Sequence, residues 1–227
     1  MKIAVCLHGL SSGVSDLAAR GRQRTVEGGF RVFIDGSILN VFDGHEVDFF
    51  THTWGNDSEE LINQNLKPIS SVFEEQIQFA EKGNYLHSIK SRWYSAKRSV
   101  ELLAAHRENT GADYDFAFLA RFDVRYFSRF DLHNLDSSKF YASHWVTEDA
   151  DKDGLLDYWF LSNPEAIIKF SSLYENIEEM VGLDSYPSSH WLAIRQLQKT
   201  GLRDSLVHLK REKLDFDLTR RLMGVKA

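Results

Sequence analysis

An arginine and an aspartate two residues apart stand at the end of a strongly apolar segment of the chain. Arg121 and Asp123 follow residues 114–120, whose composition is typical of a strand that is buried on both faces. Residues i and i+2 of an extended backbone project to the same side, so the two charged groups would lie together. A guanidinium can bind a phosphate through its planar donors, and a carboxylate can hold a divalent cation that binds a diphosphate. The pattern therefore predicts either a phosphate site or a simple ion pair at a strand end.

Composition limits the kind of protein to which this pair can belong. The chain has 227 residues and no Pro-, Gly- or Ser-rich linker, so we expect one domain over residues 1–227. A formal charge of −6 argues against a nucleic-acid partner. Cys6 is the only cysteine, which excludes an intrachain disulfide and fits a cytoplasmic location. No apolar run is long enough for a transmembrane segment, and we expect none.

Apolar runs and helical periodicity alternate along the chain. Strands are predicted at residues 2–7, 47–54, 71–76, 116–120, 139–145, 157–162 and 205–209. Helices are predicted at residues 89–107 and 189–199, after the capping residue Asn163, and over part of residues 25–39. This alternation predicts an α/β protein with a mainly parallel central sheet that is flanked by helices on both faces. Open sheets of this class bind ligands at the carboxyl ends of their strands, which is where the Arg-Asp pair stands.

Short segments in a fixed order give the chain a resemblance to a known family. They are Gly-Arg-Gln-Arg-Thr at 21–25, His-Thr-Trp at 52–54, Trp-Tyr-Ser-Ala-Lys at 93–97, Arg-Phe-Asp at 121–123 and Phe-Leu-Ser-Asn-Pro-Glu at 160–165. In these segments the chain resembles the bacterial and viral glycosyltransferases of GT-A type found in polysaccharide and lipopolysaccharide gene clusters. The resemblance runs from about residue 2 to residue 201. It implies a single GT-A-like (Rossmann-like) domain, a nucleotide-sugar donor, and a glycan or lipid-linked glycan as acceptor.

Donor binding is expected from residues in or beside these segments. The expected contacts are His8, Gly9, Arg24, Thr25, His52, Trp54, Tyr94, Ser95, Lys97, Arg121 and Asp123. Among them, Arg24, Lys97 and Arg121 are the candidates to meet the negative charge that grows on a leaving diphosphate. Asp123 is the candidate ligand of Mg²⁺ or Mn²⁺, since one carboxylate with phosphate oxygens and water can suffice. Many enzymes of this type have two aspartates in the metal motif, and Arg121 replaces the first of them here, so a site without a metal stays open.

An inverting transfer also needs a base that takes the proton of the acceptor hydroxyl. Acidic residues are dense over positions 148–157. In enzymes of this type the base commonly lies just before the strand that corresponds to residues 158–162. Asp157 is therefore the first candidate and Asp153 the second, with a solvated acidic loop as the alternative interpretation.

Two other functions remain open on the sequence alone. A binding module on the same fold that has lost catalysis would explain the missing aspartate of the metal motif. Another nucleotide-dependent transferase, such as a sulfotransferase, would use a similar sheet. The chain has neither a Walker phosphate loop nor a Gly-x-Ser-x-Gly elbow, which disfavours a P-loop kinase and a serine hydrolase.

Overall fold

The structure, a computed structural model, describes residues 1–11, 37–81, 84–144, 155–182 and 188–219. Its strands are β1 (Lys2–Gly9), β2 (Glu46–Trp54), β3 (Ser70–Glu74), β4 (Phe116–Arg121), β5 (Val124–Tyr126), β6 (Phe140–His144), β7 (Leu156–Ser162), β8 (Leu206–Arg211) and β9 (Phe216–Leu218). Its helices are α1 (Ile38–Val41), α2 (Glu59–Leu66), α3 (Tyr85–Thr110), α4 (Pro164–Ser171), α5 (Leu173–Val181) and α6 (Ser189–Thr200).

Seven of the described strands form a central sheet in the order β3-β2-β1-β4-β7-β6-β8. β1 pairs in parallel with β2 and with β4, and β3 continues the parallel part beyond β2. β7 runs antiparallel between β4 and β6, and β8 pairs in parallel with β6. The predicted α/β class, with a mostly parallel sheet flanked by helices, is therefore confirmed, while the reversed direction of β7 was not predicted.

Apolar side chains cover both faces of this sheet. On one face, Cys6 of β1 and Leu119 of β4 belong to the same buried cluster as Trp93 of α3. On the other face, Val5 and Phe118 belong to a second buried cluster, which includes residues of α1 and α2. Because both faces of these central strands are buried, their sequences are continuous apolar runs and do not alternate between apolar and polar residues.

The candidate functional residues lie at the carboxyl edge of the sheet. From β1, the sheet continues through β2 to β3 on one side, whereas β4 lies on the other side of β1. The strand order therefore reverses between β1 and β4. Ligands of open α/β sheets bind outside such a reversal point. His8 is the register partner of both His52 and Arg121, which places the three residues on one rung at this edge. β7 is antiparallel to β4 and therefore begins at the same edge, with Asp157 as its second residue.

α3 carries further side chains to this edge. The side chain of Asn84 caps it by accepting a hydrogen bond from the Leu86 amide at 2.9 Å, and Gly111 ends it at φ +69°. The helix leads from the carboxyl edge back to the start of β4, so its first turns lie beside the strand ends. α3 has 26 residues, yet no helix in the described part of the chain is long and apolar enough to cross a bilayer.

Several described elements were not predicted from the sequence. They are α2, α5 and a second, two-stranded sheet in which β5 pairs antiparallel with β9. Strands of three residues are too short for a period of two to be recognised, and their pairing joins segments that are distant in the chain. Of the helix predicted over part of residues 25–39, positions 37–39 are described, and α1 begins there.

Candidate functional site

Polar contacts at the carboxyl edge join side chains from β1, β2, β4, β7 and α3. One set of contacts connects His52 to the Gly9 amide through Ser95. A second set connects His8 to Arg92 and Arg92 to Asp157. Asp157 in turn contacts Arg121, which pairs with Asp123. Four of these residues are charged and in contact with one another. We refer to Arg92, Arg121, Asp123 and Asp157 as the charge cluster.

Ser95 connects the ends of the first two strands. Its hydroxyl oxygen accepts a hydrogen bond from the Gly9 amide at 2.8 Å and lies 2.7 Å from Nδ1 of His52. Gly9 adopts φ +105°, a backbone conformation that favours glycine. Burial lowers the pKa of His52 to about 4, although the nearby Glu74 carboxylate raises it, so the ring is neutral at pH 7. His52 and Ser95 are fully buried, and in this arrangement they hold the strand ends in place and do not face a ligand.

Trp54 and Tyr94 belong to an aromatic cluster beside these strand ends. Their rings are stacked with centroids 5.4 Å apart and an interplanar angle of 17°. Trp54 is only 3% exposed. The Tyr94 hydroxyl donates a hydrogen bond to Glu74 at 3.2 Å, and Tyr174 packs edge-on against the Tyr94 ring. The predicted donor contact of Trp54 is therefore not accommodated here, because the ring is packed inside the protein.

Arg92 connects β1 to β7 through the charge cluster. Its Nε lies 2.6 Å from Oδ2 of Asp157, and its Nη2 donates a hydrogen bond to the Asp157 backbone carbonyl. Its Nη1 lies 3.2 Å from Nε2 of His8. Since a guanidinium can only donate, the His8 proton must be on Nδ1. Burial and the Arg92 charge lower the pKa of His8 well below its ordinary value, so His8 is a neutral acceptor.

Arg121 and Asp123 form a bidentate ion pair. Nε and Nη2 of Arg121 each donate a hydrogen bond of 2.7 Å, one to each carboxylate oxygen of Asp123. The two side chains are 20% and 16% exposed, so the pair is partly accessible to solvent at the carboxyl edge of the sheet. A further atom of Arg121, Nη1, lies 3.8 Å from Oδ1 of Asp157. The structure therefore realises the ion-pair interpretation of this motif, and Arg121 can bind a phosphate with the same donors only if the pair opens.

Asp157 is the most enclosed member of the charge cluster. Its side chain is 4% exposed. Burial raises its pKa, but the charges of Arg92, His190 and Arg121 outweigh burial and bring the pKa to about 2. An efficient base has a pKa near the working pH. Asp157 does lie beside Arg92 and Arg121, but its surroundings suit an anchor for two guanidinium groups better than a proton acceptor.

His190 lies beside Asp157 in the first turn of α6. Its Nδ1 is 3.0 Å from the Leu155 carbonyl oxygen, 3.2 Å from the Asp157 amide nitrogen and 3.3 Å from Oδ1 of Asp157. The Leu155 amide donates to the His190 carbonyl at 2.9 Å, and the side chain of Ser188 caps the helix by accepting from the Trp191 amide at 3.1 Å. These contacts fix the start of α6, and with it the imidazole, against the start of β7.

Sequence reasoning did not single out Arg92 or His190. Arg92 carried a recognisable signal, since it stands three residues after Ile89 and four before Ala96, on the buried stripe of α3. A charge on such a stripe requires a partner. We find no comparable signal for His190, because its role depends on where α6 meets β7.

A divalent cation does not fit the charge cluster in this arrangement. Both oxygens of Asp123 accept hydrogen bonds from Arg121, and Asp157 is paired with Arg92. Two guanidinium groups and two carboxylates balance, so the cluster has no excess negative charge to attract a metal. Within the described ranges, no group of three or more His, Cys, Asp or Glu side chains is placed to hold one. The donor set therefore does not match the predicted Mg²⁺ or Mn²⁺ at Asp123.

Lys97 lies outside the charge cluster. Its ammonium group is 3.2 Å from Oε1 of Glu101 and pairs with Glu175 of α5. It stands five positions after Arg92, which places the two side chains on different sides of α3. Lys97 thus contributes to the packing of α3 against α5, and its predicted phosphate contact has no support from this position. The other predicted residues, Arg24, Thr25 and Asp153, lie outside the described part of the chain.

The arrangement as a whole places a partly exposed arginine at the carboxyl edge of the sheet, where it can bind an anion. The anion-binding group is Arg121, because it is partly exposed, whereas Arg92 is held beneath it by Asp157. No protein-family model and no curated protein matches the chain.

Proposed function

We propose that the protein is a nucleotide-sugar-dependent glycosyltransferase of GT-A type that binds the donor diphosphate at Arg121. One observation carries this proposal. Segments that are far apart in the sequence, each with little weight as a motif, meet at the reversal point of the sheet. Ser95 lies 2.7 Å from His52 there, and His8 of β1 is the register partner of both His52 and Arg121, which aligns three of the segments. Their convergence supports the resemblance, because it depends on the strand order of the sheet, which the segments themselves do not specify.

The reaction places a specific demand on this edge. A bond forms between an acceptor oxygen and the anomeric carbon, while the bond from that carbon to the diphosphate breaks. Negative charge grows on the leaving diphosphate, and a preorganised guanidinium stabilises it. Arg121 lies at the carboxyl end of β4, next to the end of β1, where open sheets bind such groups.

Asp123 and the diphosphate compete for Arg121 in this proposal. The charge cluster has no net formal charge, so a diphosphate gains attraction from Arg121 only when Asp123 releases it. The pair is partly exposed, and a phosphate can accept bidentate hydrogen bonds from a guanidinium as a carboxylate does. Exchange of one anion for the other therefore keeps the hydrogen bonds of the guanidinium satisfied.

Nucleotide binding and donor turnover test the proposal. A thermal-shift panel of UDP, GDP, CDP and dTDP, with and without Mn²⁺, is expected to show that one nucleotide raises the Tm. Arg121→Gln should lose this shift. Arg129→Gln is the matched control, since Arg129 is also paired with an aspartate, at 2.8 Å from Asp43, but is 66% exposed and stands outside the charge cluster. Binding of no nucleotide, together with no nucleotide release from any of the corresponding sugar donors, would contradict the proposal.

Asp123→Asn separates two roles of the carboxylate. If Asp123 competes with the diphosphate, the variant binds the nucleotide more tightly than the wild type in the absence of metal, because Arg121 is released. If Asp123 is a metal ligand, the variant instead loses the part of the affinity that depends on Mn²⁺. The bidentate geometry of the Arg121–Asp123 pair predicts the first result, tighter nucleotide binding in the absence of metal.

A binding module that has lost catalysis is the second candidate function. The observation that favours it is the low pKa of Asp157, which leaves the predicted base a weak proton acceptor. This alternative predicts that a nucleotide raises the Tm in the same panel while no donor sugar is consumed.

A further inference from the structure

A buried threonine hydroxyl beside the charge cluster has no hydrogen-bond partner. Thr219 is 3% exposed, and its Oγ1 makes no hydrogen bond to any part of the chain that the structure describes. A buried hydroxyl without a hydrogen bond destabilises a protein, so most such groups are paired. The Thr219 hydroxyl is thus a donor that the ligand-free protein does not use.

The second sheet places Thr219 directly opposite Asp123. β5 and β9 are antiparallel, and Val124 is the register partner of Leu218. The next pair along this ladder is Asp123 with Thr219, and the Thr219 amide donates a hydrogen bond to the Asp123 carbonyl at 2.9 Å. Side chains of directly opposed residues project from the same face of a sheet, with their Cβ atoms about 5 Å apart. Rotation about side-chain bonds can therefore bring the carboxylate of Asp123 to the hydroxyl of Thr219.

Asp123 needs a new donor when the diphosphate takes its place at Arg121. In the structure, both carboxylate oxygens of Asp123 accept hydrogen bonds from Arg121. The Asp123 side chain is only 16% exposed, so water replaces these two hydrogen bonds incompletely. The loss of charge-assisted hydrogen bonds by a partly buried carboxylate opposes the exchange. A neighbouring hydroxyl that donates to the released carboxylate reduces this opposition.

We propose that Thr219 is a positioning residue of the donor site, which holds Asp123 away from Arg121 while the diphosphate is bound; this inference rests on the proposed function. Rotation of the Asp123 side chain breaks its two hydrogen bonds to Arg121. One carboxylate oxygen then accepts a hydrogen bond from Oγ1 of Thr219, and the diphosphate oxygens accept those of the guanidinium. The exchange thus uses the one hydroxyl of this cross-strand pair that the ligand-free protein leaves unpaired.

Removal of the Thr219 hydroxyl should weaken nucleotide binding without destabilising the free protein. Thr219→Val keeps the shape of the side chain, and because the hydroxyl has no described partner, the free energy of unfolding in urea should not decrease. The ligand is whichever of UDP, GDP, CDP and dTDP raises the Tm of the wild type. Its Kd, measured by isothermal titration calorimetry, should rise about 10-fold, since the bound state loses a hydrogen bond to a charged group.

Thr51→Val is the matched control. The Thr51 hydroxyl is also buried and makes no hydrogen bond within the described ranges. Thr51 lies inside β2 and does not belong to the charge cluster. Its replacement should therefore leave both the Kd and the free energy of unfolding at or near the wild-type values.

Combination with Asp123→Asn tests whether the hydroxyl acts through the carboxylate. Asparagine has no charge that requires a donor, so Thr219→Val should change the Kd by less than about 2-fold in this background. An equal rise in both backgrounds would show that the hydroxyl binds the nucleotide directly, which would overturn the positioning role. Loss of all nucleotide binding in Asp123→Asn would overturn it too, because the carboxylate would then be required for binding.

Two smaller side chains protect the test against a packing defect. Thr219→Ser keeps the hydroxyl and Thr219→Ala removes it, so the serine variant should bind the nucleotide more tightly than the alanine variant. A wild-type Kd in Thr219→Val, or equal Kd values in the serine and alanine variants, would overturn the inference while leaving the proposed function intact. A wild-type protein that binds none of the four nucleotides would overturn both.

Discussion

Replacement of Asp157 by asparagine removes one negative charge from the middle of the charge cluster. The amide cannot compensate the guanidinium of Arg92, which lies 2.6 Å from Oδ2, or that of Arg121, which lies 3.8 Å from Oδ1. Arg121 keeps its pair with Asp123, so the main consequence falls on Arg92, whose side chain is only 11% exposed. We expect Asp157→Asn to destabilise the folded protein because it leaves a buried cation without its partner.

The size of the effect follows from the pKa of Asp157. The folded protein lowers it from 3.8 to about 2, which corresponds to about 2 kcal/mol in favour of the ionised form. Loss of one partner from a buried pair costs about 3 kcal/mol, so we expect the free energy of unfolding at pH 7 to decrease by about 2–3 kcal/mol. Because the pKa is lowered on folding, the contribution of Asp157 is fully present above its ordinary value and is lost as the pH falls toward 2. The difference between wild type and variant should therefore be the same at pH 7 and pH 5 and smaller by about 1 kcal/mol at pH 3.

Urea unfolding at the three pH values, followed by tryptophan fluorescence, measures these differences. Asp113→Asn is the matched control, since Asp113 also faces an arginine, at 3.6 Å from Arg107, but is 90% exposed. It should change the free energy of unfolding by less than about 0.5 kcal/mol. A loss below about 1 kcal/mol for Asp157→Asn, or a loss that does not vary between pH 5 and pH 3, would refute the electrostatic account of the cluster.

Three further predictions concern the elements that position the site. Asn163→Ala removes the side chain that caps α4 through a 2.8 Å hydrogen bond, and should lower the free energy of unfolding in urea by about 1 kcal/mol, whereas Asn163→Ser should restore most of it. Ser95→Ala leaves the Gly9 amide without its acceptor and should cost about 1–3 kcal/mol, with faster hydrogen exchange at Gly9; a Gly9 amide that exchanges as slowly as in the wild type would argue against the contact. Burial lowers the pKa values of His8 and His52, so their contribution to stability is present above the ordinary value of histidine and is lost as the pH falls. The free energy of unfolding should therefore decrease from pH 6.5 to pH 4, and His52→Gln should show a shallower decrease over this range.

Much of the scaffold follows from local patterns in the sequence. The apolar runs predicted the strands of the central sheet to within a few residues, because strands buried on both faces leave little room for polar side chains. Asn163 and Gly201 mark helix ends through side-chain capping and a left-handed backbone, which are local effects. The position of Arg121 and Asp123 at the carboxyl end of β4 was predicted in the same way, and β4 does end there. The donor, its nucleotide and the activity itself stay predictions.

Only the tertiary structure decided how the charged residues pair. The sequence around Arg121 is compatible with a phosphate site and with an ion pair. The bidentate hydrogen bonds from Arg121 to Asp123 show that the two residues form an ion pair in this structure. Arg92 meets Asp157 across 65 positions of the chain, and this contact exists because β7 runs antiparallel to β4 and begins at the ligand edge. Periodicity along a segment determines which side of a helix or strand is buried, but it carries no information about which distant segment lies against that side. The buried core could therefore be anticipated from the sequence, whereas the protonation states and partners at the site could not.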